Sequence, residues 1–284
     1  MKRAIIAIMC LLLTVGVFAC SKPAEKPEEP AEEATEEAEE ATEEAAEEAS
    51  GMWDGKVLKV GIEGTYKPYT YHDESDALTG FDVELARALA EKMGVEIEFT
   101  EAAWDSLLAG VDAGRLDTVI NTVGITDERK EKYDFVGPYL YMPRIVVTKG
   151  DNETLKSVDD IPGSKIASSK SSTLGQDFVN MGAELVIIEG IDQAAQTVLS
   201  GRADFVSYDV TTFNSYVEEH PEADLKIAFA IPGFSENYGI PVRKGDTELF
   251  NALDAAFQEL QADGTIAKLS DEFLKGDYTN PVEE

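Results

Sequence analysis

Along residues 57–120, segments in which every second residue is apolar take turns with segments in which apolar residues recur about every fourth position. This pattern limits the possible folds more than any other feature of the chain. Leu58, Val60 and Ile62 alternate with other residues, as in a β-strand, whereas a later run recurs every fourth position before Gly94, as in a helix. The predicted segments are a strand at 58–62, a helix at 80–93, a strand at 95–99, a helix at 104–114 and a strand at 118–120. This order predicts a parallel sheet covered by helices, with ligands bound at the carboxyl ends of its strands.

A second cycle of the same kind begins near residue 145, so we expect the folded part of the chain to divide in two. Its predicted segments are strands at 145–147, 165–167, 185–188 and 203–207, a helix from 178, a helix at 194–199, and two final helical stripes at 250–260 and 266–273. Roughly 230 residues follow position 50, which is enough to build a hydrophobic core in each part.

The segment NTVGITDER, residues 121–129, carries the clearest chemical signal. Its small and hydroxyl-bearing residues leave backbone N–H groups free for a ligand, and Arg129 can hold a carboxylate through two parallel hydrogen bonds. Asp209, in the segment SYDVTTF, supplies a charge of the opposite sign. Because a free amino acid carries both a carboxylate and an ammonium group, this pair of residues predicts an amino-acid site.

Several of these residues have structural explanations that the sequence leaves open. Asp209 can instead cap the helix that follows it, and Trp104 can be a core residue at helical spacing. Glu63, at the end of the first strand, can pair within its own half of the protein. Thr122 and Gly124 can serve only to shape their loop.

Residues 1–20 are typical of an export signal, with two basic residues ahead of an apolar segment shorter than the roughly 20 residues of a membrane span. The sequence Val-Phe-Ala-Cys at 17–20 predicts cleavage and lipid attachment at Cys20, with Phe18 departing from the usual small or aliphatic residue. Ordinary signal cleavage beside an incidental cysteine is the alternative. With Cys20 acylated and Cys10 removed, the mature chain has no thiol for a disulfide.

Residues 21–55 form a predicted linker of different composition, rich in Glu, Ala, Pro and Thr at 22–50, where no residue is aromatic or branched aliphatic. Such a segment cannot bury enough apolar surface to offset chain entropy, so we expect a solvated spacer. The whole chain has a formal net charge of −32. This charge argues against nucleic acid as a partner, because phosphate binding requires clustered Lys and Arg.

Five longer segments together form a pattern that is far more specific than any short motif. They are GIEGTYKPYTY at 61–71, LTGFDVELA at 78–86, WDSLLAGVDAGRLDTVINTVGITDERKEKYDFVGPY at 104–139, GRADFVSYD at 201–209 and YGIPVRKG at 238–245. In their order they resemble the extracellular solute-binding proteins of family 3, which bind polar amino acids for ABC importers. The EGTY, WDSLLAGVD and INTVGITDER segments are most similar to the cystine-binding members.

This resemblance implies an α/β fold of the type II periplasmic-binding-protein class. Two lobes, each with a mixed and mostly parallel sheet and flanking helices, would be joined by a two-strand hinge near 140–146 and 238–243. Lobe 1 would comprise residues 56–140 plus 243–280, and lobe 2 would comprise residues 143–240.

The resemblance also implies how the α-amino-acid group is held. Arg129 would bind the α-carboxylate, assisted by the backbone N–H of Gly124 and by the hydroxyl and backbone of Thr122. Asp209 would bind the α-ammonium group. Gly124 stands where Ser or Thr is frequent in the family, which removes one side-chain donor.

Five other residues would complete the site. Ser172 and Thr173 would bring N–H groups from lobe 2, in a loop that reads Ser-Ser-Thr where Gly-Thr-Thr is frequent. Tyr66 and Trp104 would form the walls of the side-chain pocket, and Glu63 would face the distal end of the ligand.

The resemblance implies a transport protein rather than an enzyme. We expect a monomeric, lipid-anchored protein outside the cytoplasmic membrane that delivers an L-amino acid to a membrane permease. Cystine is the leading ligand, and glutamine or another polar amino acid is the alternative; a dehydratase-like enzyme and a sensor module are alternative functions. His72 and His220 lie among acidic residues away from the predicted cleft, and no cofactor or metal motif is present, so we expect neither cofactor nor metal.

Overall fold

The computed structural model describes Trp53 and residues 55–281. The predicted export signal at 1–20, the lipid attachment site at Cys20 and nearly all of the predicted linker lie outside these residues. Within the described ranges, no helix is long and apolar enough to cross a membrane.

The described residues form eleven β-strands, most of which belong to one curled sheet. Their bounds are β1 Val57–Ile62, β2 Thr65–Tyr66, β3 Thr70–His72, β4 Leu78–Thr79, β5 Glu96–Glu101, β6 Thr118–Val119, β7 Tyr133–Lys149, β8 Lys165–Ser168, β9 Glu184–Ile187, β10 Phe205–Asp209 and β11 Leu225–Arg243. Eight strands pair in the order β5-β1-β6-β11-β7-β10-β8-β9, and β2, β3 and β4 form a small sheet of their own. β1 pairs in parallel with β5 and β6, and β8 pairs in parallel with β9 and β10.

The described chain also contains eight α-helices, six between strands and two after the last strand. Their bounds are α1 Phe81–Met93, α2 Trp104–Asp112, α3 Asp127–Lys130, α4 Thr173–Asn180, α5 Ile191–Leu199, α6 Val210–Glu219, α7 Thr247–Ala262 and α8 Thr265–Leu269. A π-helical turn at Ser270–Leu274 follows α8. The predicted stop at Gly94 closes α1 with a φ of 69°, a left-handed conformation that glycine adopts without steric cost.

The two longest strands, β7 and β11, join the two parts of the sheet and serve as its hinge. They pair with each other in antiparallel fashion over nearly their whole length. The two predicted sheets are continuous, because β11 also pairs with β6 on one side while β7 pairs with β10 on the other. Between the long strands, the buried Arg144 of β7 forms an ion pair with the buried Glu236 of β11.

Lobe 1 here means β1–β6, α1–α3, α7 and α8, and lobe 2 means β8–β10 and α4–α6. Each lobe has hydrophobic clusters of its own. The largest cluster combines residues from Trp53 to Leu274, so lobe 1 is assembled from both ends of the described chain. The clusters of lobe 2 come from one continuous stretch, residues 145–231. The residue boundaries predicted for the lobes stay predictions.

Trp53 lies within the predicted linker but packs into the core of lobe 1. Its side chain is only 8% exposed, and the Lys56 ammonium lies 4.7 Å from its ring centroid. Because an indole ring buries a large apolar area, this contact fixes the chain ahead of β1.

Candidate functional site

A cleft of about 660 Å³, part of it open to solvent, lies between the lobes. Six of the nine predicted ligand-binding residues line it: Glu63, Tyr66, Trp104, Thr122, Ser172 and Thr173. Gly124, Arg129 and Asp209 are outside this lining set, although each contacts residues close to it. Most of the predicted ligand-binding residues therefore lie together in the fold, while their roles toward a ligand stay predictions.

Thr122 follows β6 in an unusual backbone conformation. Its φ is 47°, in the left-handed region that residues with a Cβ rarely adopt. Its N–H donates to Asp82 Oδ2 at 2.7 Å and to the Tyr139 hydroxyl at 3.0 Å. Since Asp82 lies in the first turn of α1 and Tyr139 lies on β7, side chains from two elements hold this part of the cleft in place.

Arg129 lies on the one-turn helix α3, which begins where Thr126 accepts the Arg129 backbone N–H. The buried guanidinium donates from Nη1 to the Gly124 carbonyl at 2.8 Å and from Nη2 to the Ser171 carbonyl at 2.9 Å. It also lies 5.6 Å from the ring centroid of Trp104. Burial lowers the pKa of the guanidinium, which nevertheless keeps its charge in proteins. One side chain thus bonds to both lobes at the edge of the cleft.

Gly124 connects the β6 loop to the hinge and to lobe 2. It forms a β-bridge with Tyr238 of β11. A Cβ added at Gly124 would lie 2.8 Å from Thr173 Oγ1, at the start of α4. The Gly124 backbone therefore lies close to a side chain of lobe 2, which favours a residue without a side chain at this position.

Asp209 ends β10 and caps α6, as the structural alternative predicted. Its Oδ1 accepts the N–H groups of Thr211 and Thr212, both at 2.9 Å, and its Oδ2 accepts the Thr212 hydroxyl at 2.7 Å. The same threonines reach lobe 1: Thr211 Oγ1 lies 2.8 Å from the Tyr69 hydroxyl, and Thr212 Oγ1 donates to the Tyr66 hydroxyl at 3.4 Å. A carboxylate has about four lone-pair sites, so Oδ2 can accept one more donor.

Glu63 lines the cleft and is also bonded within lobe 1, as its structural alternative predicted. Asn121 Nδ2 donates to Glu63 Oε2 at 2.9 Å, and the Glu63 N–H donates to Asn121 Oδ1 at 2.8 Å. Burial raises the pKa of Glu63, the bond from Asn121 lowers it, and the charge of Asp105 raises it further. Among the lining residues of the described chain, only Glu63 carries a formal charge.

Lobe 2 contributes the start of α4 and an apolar recess. Ser172 is the residue before α4 and Thr173 is its first residue, so the N–H groups of a helical first turn lie at the cleft. The apolar residues that line the recess are Ala167, Leu174, Ile188, Ile191, Ala194 and Val206. The charged residue of the lining set therefore lies in lobe 1, whereas lobe 2 combines this apolar recess with hydroxyl groups from Ser168, Ser169, Ser172, Thr173, Ser207 and Tyr208.

Tyr238 lines the cleft from β11 but was not selected from the sequence. Its side chain is 1% exposed, and its hydroxyl has no hydrogen-bond partner among the described residues. The buried indole Nε1 of Trp104 likewise has none. Because buried polar groups nearly always have a partner, both atoms are candidates for ligand contacts. Tyr238 lies in a strand whose sequence resembles that of a core strand. The sequence therefore did not distinguish Tyr238 from residues that only pack in the core.

Hydrogen bonds and an ion pair cross the cleft and hold the lobes together. Besides the bond from Arg129 to Ser171, the Ser171 N–H donates to Asp105 Oδ1 at 3.1 Å. The Lys67 ammonium lies 2.7 Å from Glu219 of α6. The lobes are therefore in a closed arrangement. In the described part of the chain, no cluster of three or more His, Cys, Asp or Glu side chains could hold a metal ion.

A two-lobed α/β fold with two hinge strands and a cleft defines a type II periplasmic binding protein, and the predicted fold class is confirmed. The chain belongs to the bacterial extracellular solute-binding proteins, family 3, which match it over residues 58–276. The predicted family is therefore confirmed, and its extracellular character agrees with the predicted location outside the cytoplasm.

Three known proteins show how close the similarity is. The L-cystine-binding protein TcyA of Bacillus subtilis (strain 168) is 38% identical over 224 residues, which are 78% of this chain and 83% of TcyA. A structure of an ancestral arginine-binding protein bound to arginine has a TM-score of 0.71 at 36% identity, covering 76% of this chain and 97% of that one. The unliganded, open L-cystine solute receptor of Neisseria gonorrhoeae has a TM-score of 0.54 at 39% identity, covering 79% of this chain and 95% of the receptor.

Proposed function

We propose that this protein binds a free L-amino acid in the cleft and delivers it to the permease of an ABC importer. The position of Arg129 carries the proposal, because its guanidinium is buried, contacts Trp104 and bonds to both lobes. The ligand α-carboxylate binds there, assisted by the loop that contains Thr122 and Gly124. The α-ammonium group binds Asp209, whose Oδ2 has room for another donor.

L-Cystine is the ligand we favour. TcyA and the receptor of Neisseria gonorrhoeae are both named for cystine, and each is more than one-third identical to this chain. The distal ammonium group of cystine would face Glu63, and its apolar centre would lie against Tyr66 and Trp104. Glutamine or another polar amino acid stays the alternative.

Arginine is the specific alternative that one observation favours. Glu63 supplies the only formal charge among the lining residues of the described chain, so the cleft suits a ligand with a cationic end. Cystine brings a second carboxylate as well, whereas arginine does not. The similarity to the arginine-bound ancestral protein agrees with this alternative.

Closure of the lobes around the ligand is the mechanism we propose. The ligand bonds first to lobe 1 and then gains Ser172, Thr173 and Asp209 from lobe 2. A ligand drives closure only to the extent that it binds the closed form more tightly than the open form. The higher TM-score with the arginine-bound protein than with the open receptor supports a closed arrangement here. The permease would then recognise the closed shape.

We further propose that Cys20 carries a lipid that anchors the protein, with the part of the predicted linker ahead of Trp53 as a spacer and the folded part as a monomer. Mass spectrometry of the membrane fraction tests the anchor, since acylation adds a lipid mass to the N-terminal peptide. A Cys20→Ser variant that stays membrane-bound would contradict it. Sedimentation of the purified protein tests the monomer.

An enzymatic function is less well supported by the cleft. General acid–base chemistry needs a group that titrates near the working pH, and His72 and His220 do not line the cleft. The relative TcyA is named as a binding protein. Incubation of the chain with each tight ligand, followed by mass spectrometry, would reveal any conversion.

Calorimetric titration tests the binding function directly. The purified protein is unfolded in guanidinium and refolded to remove carried-over ligand, and L-cystine, L-arginine, L-glutamine and the other common L-amino acids are then injected. Tight one-to-one binding of cystine supports the favoured ligand, and tight binding of another amino acid replaces cystine but keeps the function. Binding of none of them contradicts the function.

A Glu63→Gln variant separates the two leading ligands from neutral ones. Loss of this charge lowers the affinity for a ligand with a distal cation by about tenfold or more, since charge-assisted bonds contribute about 1.5–3 kcal/mol. The affinity for glutamine, which is neutral at that end, changes by less than about threefold. Equal losses for arginine and glutamine would contradict the role of Glu63.

A further inference from the structure

Thr122 combines two features that rarely occur together. It lines the cleft, and its φ of 47° lies in the left-handed region although it is a β-branched residue. Strained backbone of this kind costs on the order of 1–3 kcal/mol and persists only where surrounding groups enforce it. Some neighbouring group must therefore hold Thr122 in place.

Asp82 makes the shorter of the two hydrogen bonds to the Thr122 N–H. Its Oδ2 accepts the Thr122 N–H at 2.7 Å, and its side chain is fully buried. The Tyr139 hydroxyl accepts the same N–H at 3.0 Å and bonds to the Asp82 carboxylate. The backbone of Thr122, just after β6, is therefore bonded to a carboxylate that belongs to a different element, α1.

The burial of Asp82 has no compensation from a cation. No ion pair to Asp82 occurs among the described residues, and its Oδ1 is buried without a hydrogen-bond partner. Burial raises its pKa to about 7, the Tyr139 and Thr122 bonds lower it, and the charge of Asp209 raises it. An unpaired buried carboxylate is unfavourable for stability, so packing alone does not explain an acidic residue at this position.

We propose that Asp82 is a positioning residue, which holds Thr122 in its left-handed conformation and so keeps the ligand-binding loop in its binding-competent form. This inference rests on the proposed amino-acid function and adds a residue that never touches the ligand. When the bond is lost, Thr122 relaxes to an ordinary conformation, and the apparent affinity falls with the fraction of binding-competent protein.

The test is a double-mutant cycle read by calorimetry with the tightest amino acid found for the wild-type protein. Asp82→Leu keeps a side chain branched at Cγ but removes the shorter-bonded of the two acceptors of the Thr122 N–H. It weakens binding by about tenfold, which corresponds to the backbone strain of one residue. In a Thr122→Gly background the same change costs less than about threefold, because glycine adopts positive φ without support. Equal losses in both backgrounds would overturn the proposal.

Asp117→Leu is the matched control. Asp117 also accepts a backbone N–H, from Lys59 at 2.8 Å, but it precedes β6 at the end of the strand away from the loop. Its substitution leaves the affinity within about twofold of wild type, as expected for a site without coupling to the cleft. A tenfold loss in this control would show that any carboxylate lost from lobe 1 has the same effect, and would overturn the specific role of Asp82.

Asp82→Asn provides a second measurement if Asp82→Leu does not fold. The amide keeps one acceptor oxygen but loses the charge, so hydrogen exchange at the Thr122 amide rises by about tenfold relative to amides within β1. An unchanged Thr122 exchange rate would overturn the proposal. If the wild-type chain binds no amino acid, the proposed function fails, whereas this exchange experiment still reports whether Asp82 holds Thr122.

Discussion

The carboxylate of Glu236 occupies the space into which a side chain at position 124 would extend. A Cβ added to Gly124 would overlap Oε1 of Glu236 and lie 3.3 Å from its Cδ. The same Glu236 forms the buried ion pair with Arg144 in the hinge, and Arg144 also donates to Asp177 of α4 at 2.8 Å. Gly124 is therefore matched by an acidic hinge residue that fills the space beside it.

Gly124→Ser is expected to destabilise the protein by about 1–3 kcal/mol, because the new side chain forces Glu236 or Thr173 to move. Urea denaturation followed by circular dichroism measures the change. Glu236→Asp shortens the carboxylate, so the combination with Gly124→Ser should lose less than the sum of the two single changes. Strictly additive losses would show that the two side chains do not compete for space.

Arg129→Ala is expected to weaken amino-acid binding by roughly 30-fold to several-thousand-fold, since loss of one partner of a buried charge pair costs about 2–5 kcal/mol. Arg129→Lys keeps the charge without the forked geometry of the guanidinium. Its affinity should lie between those of the wild type and Arg129→Ala. Arg115→Ala, at an exposed position, serves as the control and should change affinity by less than about twofold. Titration calorimetry gives all three values, and a loss below threefold for Arg129→Ala contradicts the proposed binding of the ligand α-carboxylate by Arg129.

Asp209 has a capping role in the structure and a predicted ligand role, and two substitutions separate them. Asp209→Ser keeps a good N-cap for α6 but removes the charge, whereas Asp209→Ala removes both. We expect Asp209→Ala to lose about 1–2 kcal/mol of stability and Asp209→Ser to lose little, while both weaken binding by about 30-fold or more. Normal affinity in a folded Asp209→Ser variant would leave Asp209 with the capping role alone.

Tyr238→Phe is expected to weaken binding without destabilising the ligand-free protein. The Tyr238 hydroxyl is buried and has no partner among the described residues, so its removal relieves an unsatisfied group. A lost ligand bond of about 1 kcal/mol corresponds to roughly a fivefold weaker affinity. Calorimetry and thermal unfolding together test both parts; a lower melting temperature with unchanged affinity would assign the hydroxyl a structural role.

The stability of the ligand-free protein should depend on pH through Asp82. Its pKa is raised from 3.8 to about 7 in the folded chain, so the folded protein retains a proton that the unfolded chain releases. The resulting stability is fully present below about pH 4 and is lost as the pH rises through about 7. Within this window the wild type should lose on the order of 1.4 kcal/mol per pH unit relative to Asp82→Asn. Parallel stability curves for the two proteins from pH 4 to 8 would contradict this.

Periodicity in the sequence located most elements around the cleft because their apolar faces are regular. The helix that ends at Gly94 and the strand pair β1 and β6 are examples, and the loop after β6 followed from its position at a strand end. Long-range pairing was harder to infer. β7 and β11 contain Gly137-Pro138 and Pro241, which are typical of turns and strand ends, so the sequence indicated much shorter strands.

The buried polar residues around the site were the least predictable part. Asp82 lies in a first helical turn, where acidic residues are common because they interact favourably with the helix dipole. Its presence in the sequence therefore did not indicate a bond to Thr122. Arg129 was placed in a loop because a single turn of helix has no measurable periodicity. The signal that could have located it is Thr126, an N-cap residue three positions earlier.

The two hinge strands also set the order in which the chain can complete its parts. Every core residue of lobe 2 falls within one continuous stretch, whereas the main core of lobe 1 needs residues from Trp53 through Leu274. A chain made from its N-terminus can therefore finish lobe 2 while the earlier segments of lobe 1 still lack α7 and the π-helical turn. Lobe 1 is therefore the last part to complete its core. A truncation just before α7 should leave the core of lobe 2 intact and the core of lobe 1 incomplete.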